Sequence, residues 1–196
     1  MKCLVVVAHP LAESLCQTLS RVVVDALAGA GHAVQVLDLH RAGLEPALTE
    51  VERASYYQSH YAQDKIAGEV GQLLSAEAIV LVFPTWWFGF PAVLKGWFDR
   101  VWAPGVAYDH ASDLGPIRPR LTNLRQVLAV TTLGSPWWVD RLVLRQPVRR
   151  VLKTALLGAC APKCRFNMLS LYKAEAPTPQ AVDRFTMRVR QALTRW

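Results

Sequence analysis

The feature that most constrains the fold is an uninterrupted apolar run, residues 78–83, which leads directly into a bend rich in aromatic side chains. Such a run predicts a strand buried within the sheet. The bend carries Trp86, Trp87 and Phe88, and Pro91 then opens an apolar helix. The bend therefore places rings and backbone amides at the carboxyl end of a strand, where open α/β sheets bind ligands.

Strand-like and helix-like segments alternate along the chain. The predicted strands are residues 2–8, 33–39, 78–83, 124–131 and 163–169. Five strands that alternate with helices require right-handed crossovers, and hence a parallel sheet covered by helices on both faces. The pattern therefore predicts a doubly wound α/β fold.

The helices are marked by their capping residues. Ser14 caps a predicted helix over residues 15–30, and Thr49 with Glu52 forms a capping box that starts an interrupted helical region. Pro147 either kinks or begins another helix within residues 142–157. The remaining predicted helices span residues 91–102 and 179–193.

Composition bounds the class of protein. A chain of 196 residues with 52% hydrophobic residues predicts one domain, residues 1–196, rather than disorder. Its apolar runs are too short or too interrupted to span a bilayer, and no cleavage site of a signal peptide follows the first strand, so we expect a cytoplasmic protein. Cys160 and Cys164 lack the partners of a metal site, so small buried side chains are the better interpretation.

The net charge of +7 favours anionic partners. Basic residues recur every fourth position in one predicted helix, with one more beside them: Arg141, Arg145, Arg149, Lys153 and Arg150. This stripe is typical of a solvated face, but it also suits nucleotide phosphates or a membrane-associated partner. The neighbouring Trp137 and Trp138 do not form an RNA-binding motif, so we expect no nucleic-acid partner.

Three stretches, in this order, resemble the NAD(P)H:quinone reductase family of the flavodoxin-like superfamily. They are Val-Val-Val-Ala-His-Pro at residues 5–10 with Ser14, the segment of residues 84–101, and Thr-Thr-Leu-Gly at residues 131–134. The second stretch occupies every fixed position of the family run Pro-x-x-Trp-Phe-Gly-x-Pro-Ala-x-Leu-Lys-Gly-Trp-Phe-(Asp/Glu)-Arg-Val. The resemblance covers roughly residues 2–135.

The resemblance implies a flavodoxin-like sheet of order 2-1-3-4-5, with the three motifs in the loops after strands 1, 3 and 4. It implies a flavin, FAD or alternatively FMN, with NADH or NADPH as the hydride donor. The implied reaction is a ping-pong transfer of hydride through the flavin N5 to a quinone or a similar flat acceptor.

Site residues follow from the same resemblance. His9 and Ser14 would bind the flavin phosphates, with Leu15 and Cys16 where relatives have a Phe and a polar residue. The ring system would contact Pro84, Thr85, Trp86, Trp87 and Phe88, and its pyrimidine side Thr131, Thr132, Leu133 and Gly134. Trp137, Trp138 and Tyr108 would sandwich the acceptor. No side chain is assigned as a catalyst, because Lys95, Asp99 and Arg100 are spaced as structural or interface charges.

Family members are generally homodimers with the flavin at the subunit boundary, so we expect a homodimer. Two other classes stay open: a single-electron carrier flavodoxin, and a regulatory subunit that resembles the quinone-reductase-like proteins of potassium efflux systems, with a membrane-protein partner. Reduction of nitro or azo compounds belongs to the same chemistry.

Overall fold

A computed structural model describes residues 1–58, 60–111 and 115–196. Its centre is a five-stranded parallel sheet of order β2-β1-β3-β4-β5, as predicted. The strands are β1 (Lys2–Val7), β2 (Ala33–Asp38), β3 (Ala78–Pro84), β4 (Gln126–Leu133) and β5 (Arg165–Tyr172).

Helices cover both faces of this sheet. They are α1 (Leu15–Gly29), α2 (Glu50–Ser55), α3 (Ala67–Ser75), α4 (Ala92–Val101), α5 (Pro147–Arg150, continued by Val151–Leu157 and Gly158–Cys160) and α6 (Pro179–Leu193). Helices α1 and α6 share a core on one face, and α3, α4 and α5 pack on the other. A short antiparallel ribbon pairs Tyr108–Asp109 with Arg118–Pro119. No helix in the described ranges is long and apolar enough to cross a membrane.

Strand β3 is buried along its whole length, as the apolar run predicts. Its side chains alternate between the two cores: Ile79, Leu81 and Phe83 face the α4 side, whereas Val80 and Val82 face α1. Burial of each large side chain contributes about 1.5–3 kcal/mol. The strand therefore forms a rigid base for the bend that follows it.

A buried ion pair fixes the start of α2 against α4. The Arg100 guanidinium donates to both carboxylate oxygens of Glu52 at 2.6–3.1 Å, and to the Glu45 carbonyl at 2.6 Å. Burial alone would raise the pKa of Glu52, but hydrogen bonds from Arg100 and Thr49 outweigh it and lower that pKa. Lys95 pairs with Asp99 on the exposed side of α4. These charges are structural, as their spacing predicts.

The structure corrects the predicted bounds of two strands and one helix. Strand β4 begins at Gln126 rather than residue 124, and β5 begins at Arg165 rather than residue 163. Strand β4 ends at Leu133 rather than residue 131, and β5 ends at Tyr172 rather than residue 169, because Leu133 and Tyr172 pair with each other beyond the apolar runs. The helix predicted over residues 142–157 is interrupted, because Arg145 and Gln146 both have positive φ and Pro147 begins α5 at its first turn.

Candidate functional site

The loops after β1, β3 and β4 meet at the carboxyl edge of the sheet. The rings of His9 and Trp86 lie 6.4 Å apart. Thr85 donates to the Thr132 carbonyl through its amide at 2.9 Å and its hydroxyl at 3.1 Å. The Cys16 thiol lies 3.9 Å from the Thr132 hydroxyl. Direct contacts therefore join all three predicted motif segments at one edge.

The aromatic bend is a tight turn held by a hydrogen bond from the Gly89 amide to the Trp86 carbonyl at 2.9 Å. Trp87 and Phe88 occupy its two central positions with φ of 50° and 56°, a left-handed conformation that favours glycine or asparagine. The Trp87 side chain is 100% exposed. The turn thus holds a tryptophan in solvent at a conformational cost of about 1 kcal/mol or more.

The predicted Thr-Thr-Leu-Gly segment is the end of β4 rather than a free loop, except for Gly134. Its side chains alternate: Thr132 faces α1 through Cys16, while Thr131 faces the opposite side. Thr131 is fully buried, and its hydroxyl has no protein partner. An unpaired buried hydroxyl costs about 1–3 kcal/mol, so this atom is a candidate for hydrogen bonding to a ligand or water.

The loop after β1 presents an anion site at the start of α1. Ser14 caps the helix by accepting from the Gln17 amide at 3.2 Å, and the amides of Leu15 and Cys16 have no protein acceptor in the described chain. His9 accepts from the Leu11 amide through Nδ1 at 3.2 Å, which assigns the neutral ring's proton to Nε2. These donors, with the helix dipole, suit a phosphate.

The side chains of Leu15 and Cys16 do not form this anion site. Cys16 is buried and Leu15 packs against the core, so their contribution would come from backbone amides. Burial raises the pKa of the Cys16 thiol to about 11. The thiol is therefore neutral at physiological pH and inert as a nucleophile.

A cavity of about 170 Å³ lies between the aromatic turn and the end of β4. It is lined by Thr85, Trp87, Phe88, Leu133, Gly134, Ser135 and Glu175. The volume is below the usual 300–1,000 Å³ of ligand pockets, so it would hold one edge of a ligand whose remainder lies on the open rim beside Trp87.

Sequence reasoning missed two residues of this cavity, Ser135 and Glu175. The Ser135 hydroxyl is buried without a protein partner. The Glu175 carboxylate lies so close to Gly134 that a side chain at that position would collide with it. Ser135 directly follows the predicted motif, whereas Glu175 carried no signal because the predicted fifth strand ended too early.

A larger cavity of about 300 Å³ lies at the opposite edge, lined in part by Lys2, Ala33 and Ser75. These residues are at the amino ends of β1 and β2 and at the end of α3. Ligands of open α/β sheets bind at the carboxyl edge, so the smaller cavity is the better candidate site.

The residues predicted to contact the acceptor fall into two groups. Trp137 and Trp138 are exposed in the connection that follows β4. Tyr108 lies beyond α4 in a second aromatic cluster, with its ring centroid 5.3 Å from that of His110. One chain therefore brings the two tryptophans near the site edge but places Tyr108 in a different cluster.

Comparison with known proteins identifies the family. The family model described as Flavodoxin-like fold matches residues 1–188. NAD(P)H dehydrogenase (quinone) 1 of Rattus norvegicus is 31% identical over 214 residues, covering 90% of this chain and 77% of that enzyme. Ribosyldihydronicotinamide dehydrogenase (quinone) of Homo sapiens is 33% identical over 152 residues, covering 68% of this chain and 64% of that enzyme.

Solved structures agree with this assignment. The NAD(P)H:quinone oxidoreductase from Methanothermobacter marburgensis superimposes with a TM-score of 0.86 at 25% identity, covering 99% of this chain and 96% of that one. An FMN-dependent NADH-azoreductase from Bacillus anthracis, in complex with FMN, shares the fold with a TM-score of 0.78 at 14% identity over 100% of this chain and 99% of its own. The chain belongs to the flavodoxin-like family of flavin-dependent NAD(P)H:quinone oxidoreductases, the family that its three motifs resemble.

Proposed function

We propose that this chain transfers hydride from NADH or NADPH to a quinone through a bound FAD, with FMN as the alternative cofactor. The observation that carries the proposal is that three kinds of group meet at one edge of the sheet. They are the exposed Trp87 on its strained turn, the unpartnered hydroxyls of Thr131 and Ser135, and the free amides at the start of α1. The name of the rat relative gives the donor and the acceptor class, and the name of the human relative gives the same acceptor class with a dihydronicotinamide riboside as donor.

The residues at this edge fit a flat conjugated ring with a phosphate tail. The Trp87 indole offers an aromatic face, and the hydroxyls of Thr131 and Ser135 are buried without protein partners. The amides at the start of α1 are free to donate to phosphate oxygens. These donors lie at the same edge of the sheet as the aromatic turn, where a ligand with a ring and a tail could use both.

A bound flavin would supply the hydride chemistry in this site, accepting from the nicotinamide and donating to the quinone in turn. The chain's own residues would orient it. Trp87 and Phe88 would stack against the ring. Fixed donors at the end of β4 would stabilise negative charge on the pyrimidine side without reorganisation. The exposed rings of Trp137 and Trp138 would confine a flat acceptor.

The choice of FAD depends on the loop after β1. The His9 Nε2 proton is free because Nδ1 already accepts from Leu11, so the ring can donate to a phosphate next to the α1 amides. Two donor groups on one loop suit a diphosphate. FMN is the alternative because the Bacillus anthracis azoreductase, which has the same fold, is FMN-dependent.

A homodimer would explain how Tyr108 can contact the acceptor. After the strained turn, α4 runs back along the sheet for about 15 Å, which separates Tyr108 from Trp87 within one chain. If Tyr108 contacts the acceptor, it must come from a second copy. We therefore propose a homodimer in which each subunit's ribbon completes the other subunit's site. We also propose that this protein is located in the cytoplasm.

The test is to purify the protein and record its visible spectrum. The expected result is a yellow protein that releases FAD on denaturation, loses its colour with NADH or NADPH without oxygen, and regains it when a quinone is added. A colourless protein that takes up neither FAD nor FMN would contradict the proposal. Sedimentation velocity on the same sample tests the homodimer separately.

A further inference from the structure

An unpaired carboxylate lines the cavity at the candidate site. Among the described residues that line this cavity, Glu175 alone is charged. Within residues 1–58, 60–111 and 115–196, its carboxylate accepts no hydrogen bond and forms no ion pair. An ionised carboxylate can only accept hydrogen bonds, so this side chain is available to a donor on a ligand.

The glycine at position 134 leaves room for this carboxylate. Gly134 does not have the positive φ for which glycine is usually needed, so the backbone would tolerate another residue there. A Cβ at this position would lie 2.5 Å from Oε1 of Glu175 and 3.0 Å from its Cδ. A larger residue would therefore push the carboxylate away from the end of β4, whereas glycine lets it lie against the strand.

Backbone hydrogen bonds hold the segment that carries Glu175 beside the cavity. The Ala174 amide donates to the Leu133 carbonyl at 2.9 Å, and the Lys173 amide donates to the Ser135 carbonyl at 3.2 Å. Lys173 has φ of 55°, so the chain turns here instead of continuing β5. The backbone next to Glu175 is therefore fixed by the end of β4 and the residues that follow it.

The other polar groups of this cavity can donate hydrogen bonds. The Ser135 hydroxyl is buried without a protein partner. The amides of Trp87 and Phe88, at the centre of the aromatic turn, donate to no protein group in the described part of the chain. The cavity thus combines several free donors with one strong acceptor.

We infer that the Glu175 carboxylate accepts a hydrogen bond from N3–H of the bound flavin. The pyrimidine edge of a flavin carries one N–H, at N3, between two carbonyl oxygens, so it needs one acceptor flanked by donors. A cavity of about 170 Å³ holds such an edge and leaves the rest of the ring on the rim. The inference rests on the proposed function, because it names a contact to the same cofactor.

This contact would orient the ring within the site. It would also lower the reduction potential of the flavin, because the carboxylate charge opposes the negative charge that reduction adds to the ring. Glu175 is therefore a positioning residue, and its effect is measurable in flavin binding without any turnover.

The test compares flavins that can and cannot donate from N3. FAD and FMN are each compared with their N3-methyl derivatives, and binding is followed by flavin fluorescence. A hydrogen bond to a charged acceptor is worth about tenfold or more in affinity, so the wild-type protein should prefer the parent flavin by at least that factor. Glu175→Ala should weaken binding of the parent flavin by the same factor without weakening binding of the methyl derivative.

The matched control is Asp25→Ala. Asp25 is exposed on α1, about 16 Å along the helix from Ser14, and its replacement removes the same charge far from the cavity. This variant should keep the wild-type preference for the parent flavin. Glu175→Gln retains an uncharged acceptor and should show an intermediate preference.

Equal preference for the parent flavin in the wild type and Glu175→Ala would show that another group contacts N3, and it would overturn the inference. Undiminished binding of the parent flavin by Glu175→Ala would overturn it as well. A protein that binds neither FAD nor FMN refutes the proposed function and this contact together. A protein that binds flavin but does not distinguish the methyl derivative refutes this contact alone.

Discussion

Replacing Trp87 with glycine is expected to stabilise the flavin-free protein while weakening flavin binding. The Trp87 side chain is fully exposed, so its removal forfeits no buried surface. Its φ of 50° is unfavourable for any residue with a Cβ and is easily adopted by glycine. Relief of this strain should add about 1 kcal/mol to the free energy of unfolding, which raises Tm by about 2–4 °C for a chain of this size.

The opposite effect on flavin comes from lost stacking. Contact between an aromatic side chain and a flat heterocycle is worth about 1–3 kcal/mol, so the flavin Kd should rise about five- to a hundredfold. Two controls separate the effects. Trp87→Phe keeps a ring and the strained φ, so it should bind flavin well without gaining stability. Lys173→Gly relieves a φ of 55° at an exposed position without removing a ring, so it should gain stability alone.

Thermal unfolding of the flavin-free protein and titration of flavin fluorescence measure the two quantities. A lower Tm for Trp87→Gly would show that the indole packs against the protein. An unchanged flavin Kd would show that the aromatic turn does not contact the cofactor. Either result would refute the reasoning. An exposed, strained tryptophan that stacks on the flavin requires Trp87→Gly to raise the Tm of the flavin-free protein and to weaken flavin binding.

Three further changes test the core and the cavity. Glu52→Gln leaves Arg100 buried without its carboxylate, which costs about 3–5 kcal/mol and should lower Tm by roughly 6–20 °C in a thermal melt. Burial raises the pKa of Cys16 and Cys160 to about 11. Because the unfolded chain loses these protons first, stability should fall from about pH 9 to pH 11, and replacing both with alanine should flatten that fall in urea titrations. Glu175→Gln removes a negative charge beside the cavity and should raise the flavin potential by about 20 mV in a spectroelectrochemical titration; no rise would place the flavin elsewhere.

The sequence predicted the sheet well because its strands are buried apolar runs separated by helices. The five strands, the caps at Ser14 and Thr49, and the aromatic bend all depend on local pattern. The order of the strands came from the resemblance instead, because alternation alone allows more than one doubly wound order. Where local pattern and tertiary pairing agree, prediction succeeds.

The ends of β4 and β5 were predicted less well, since pairing between neighbouring strands extends them past their apolar runs. Thr132 remains part of β4 because it pairs with Pro84 of β3 on one side and with Leu171 of β5 on the other. Glu175 enters the site through this extension, and no local property of its segment indicates that position. The strain at Arg145 and Gln146 was also invisible, because neither is a residue that usually adopts positive φ.

Backbone strain is concentrated at the edge that carries the candidate site. Within the described chain, five residues other than glycine have positive φ, and all lie in connections that leave the carboxyl ends of β3, β4 and β5: Trp87, Phe88, Arg145, Gln146 and Lys173. At about 1 kcal/mol each, their combined cost approaches the 5–15 kcal/mol by which a typical protein is stable. The hydroxyls of Thr131 and Ser135, buried without partners, lie at the same edge. Folding alone gains nothing from this arrangement, whereas a ligand bound at the edge would use the exposed ring and satisfy the hydroxyls.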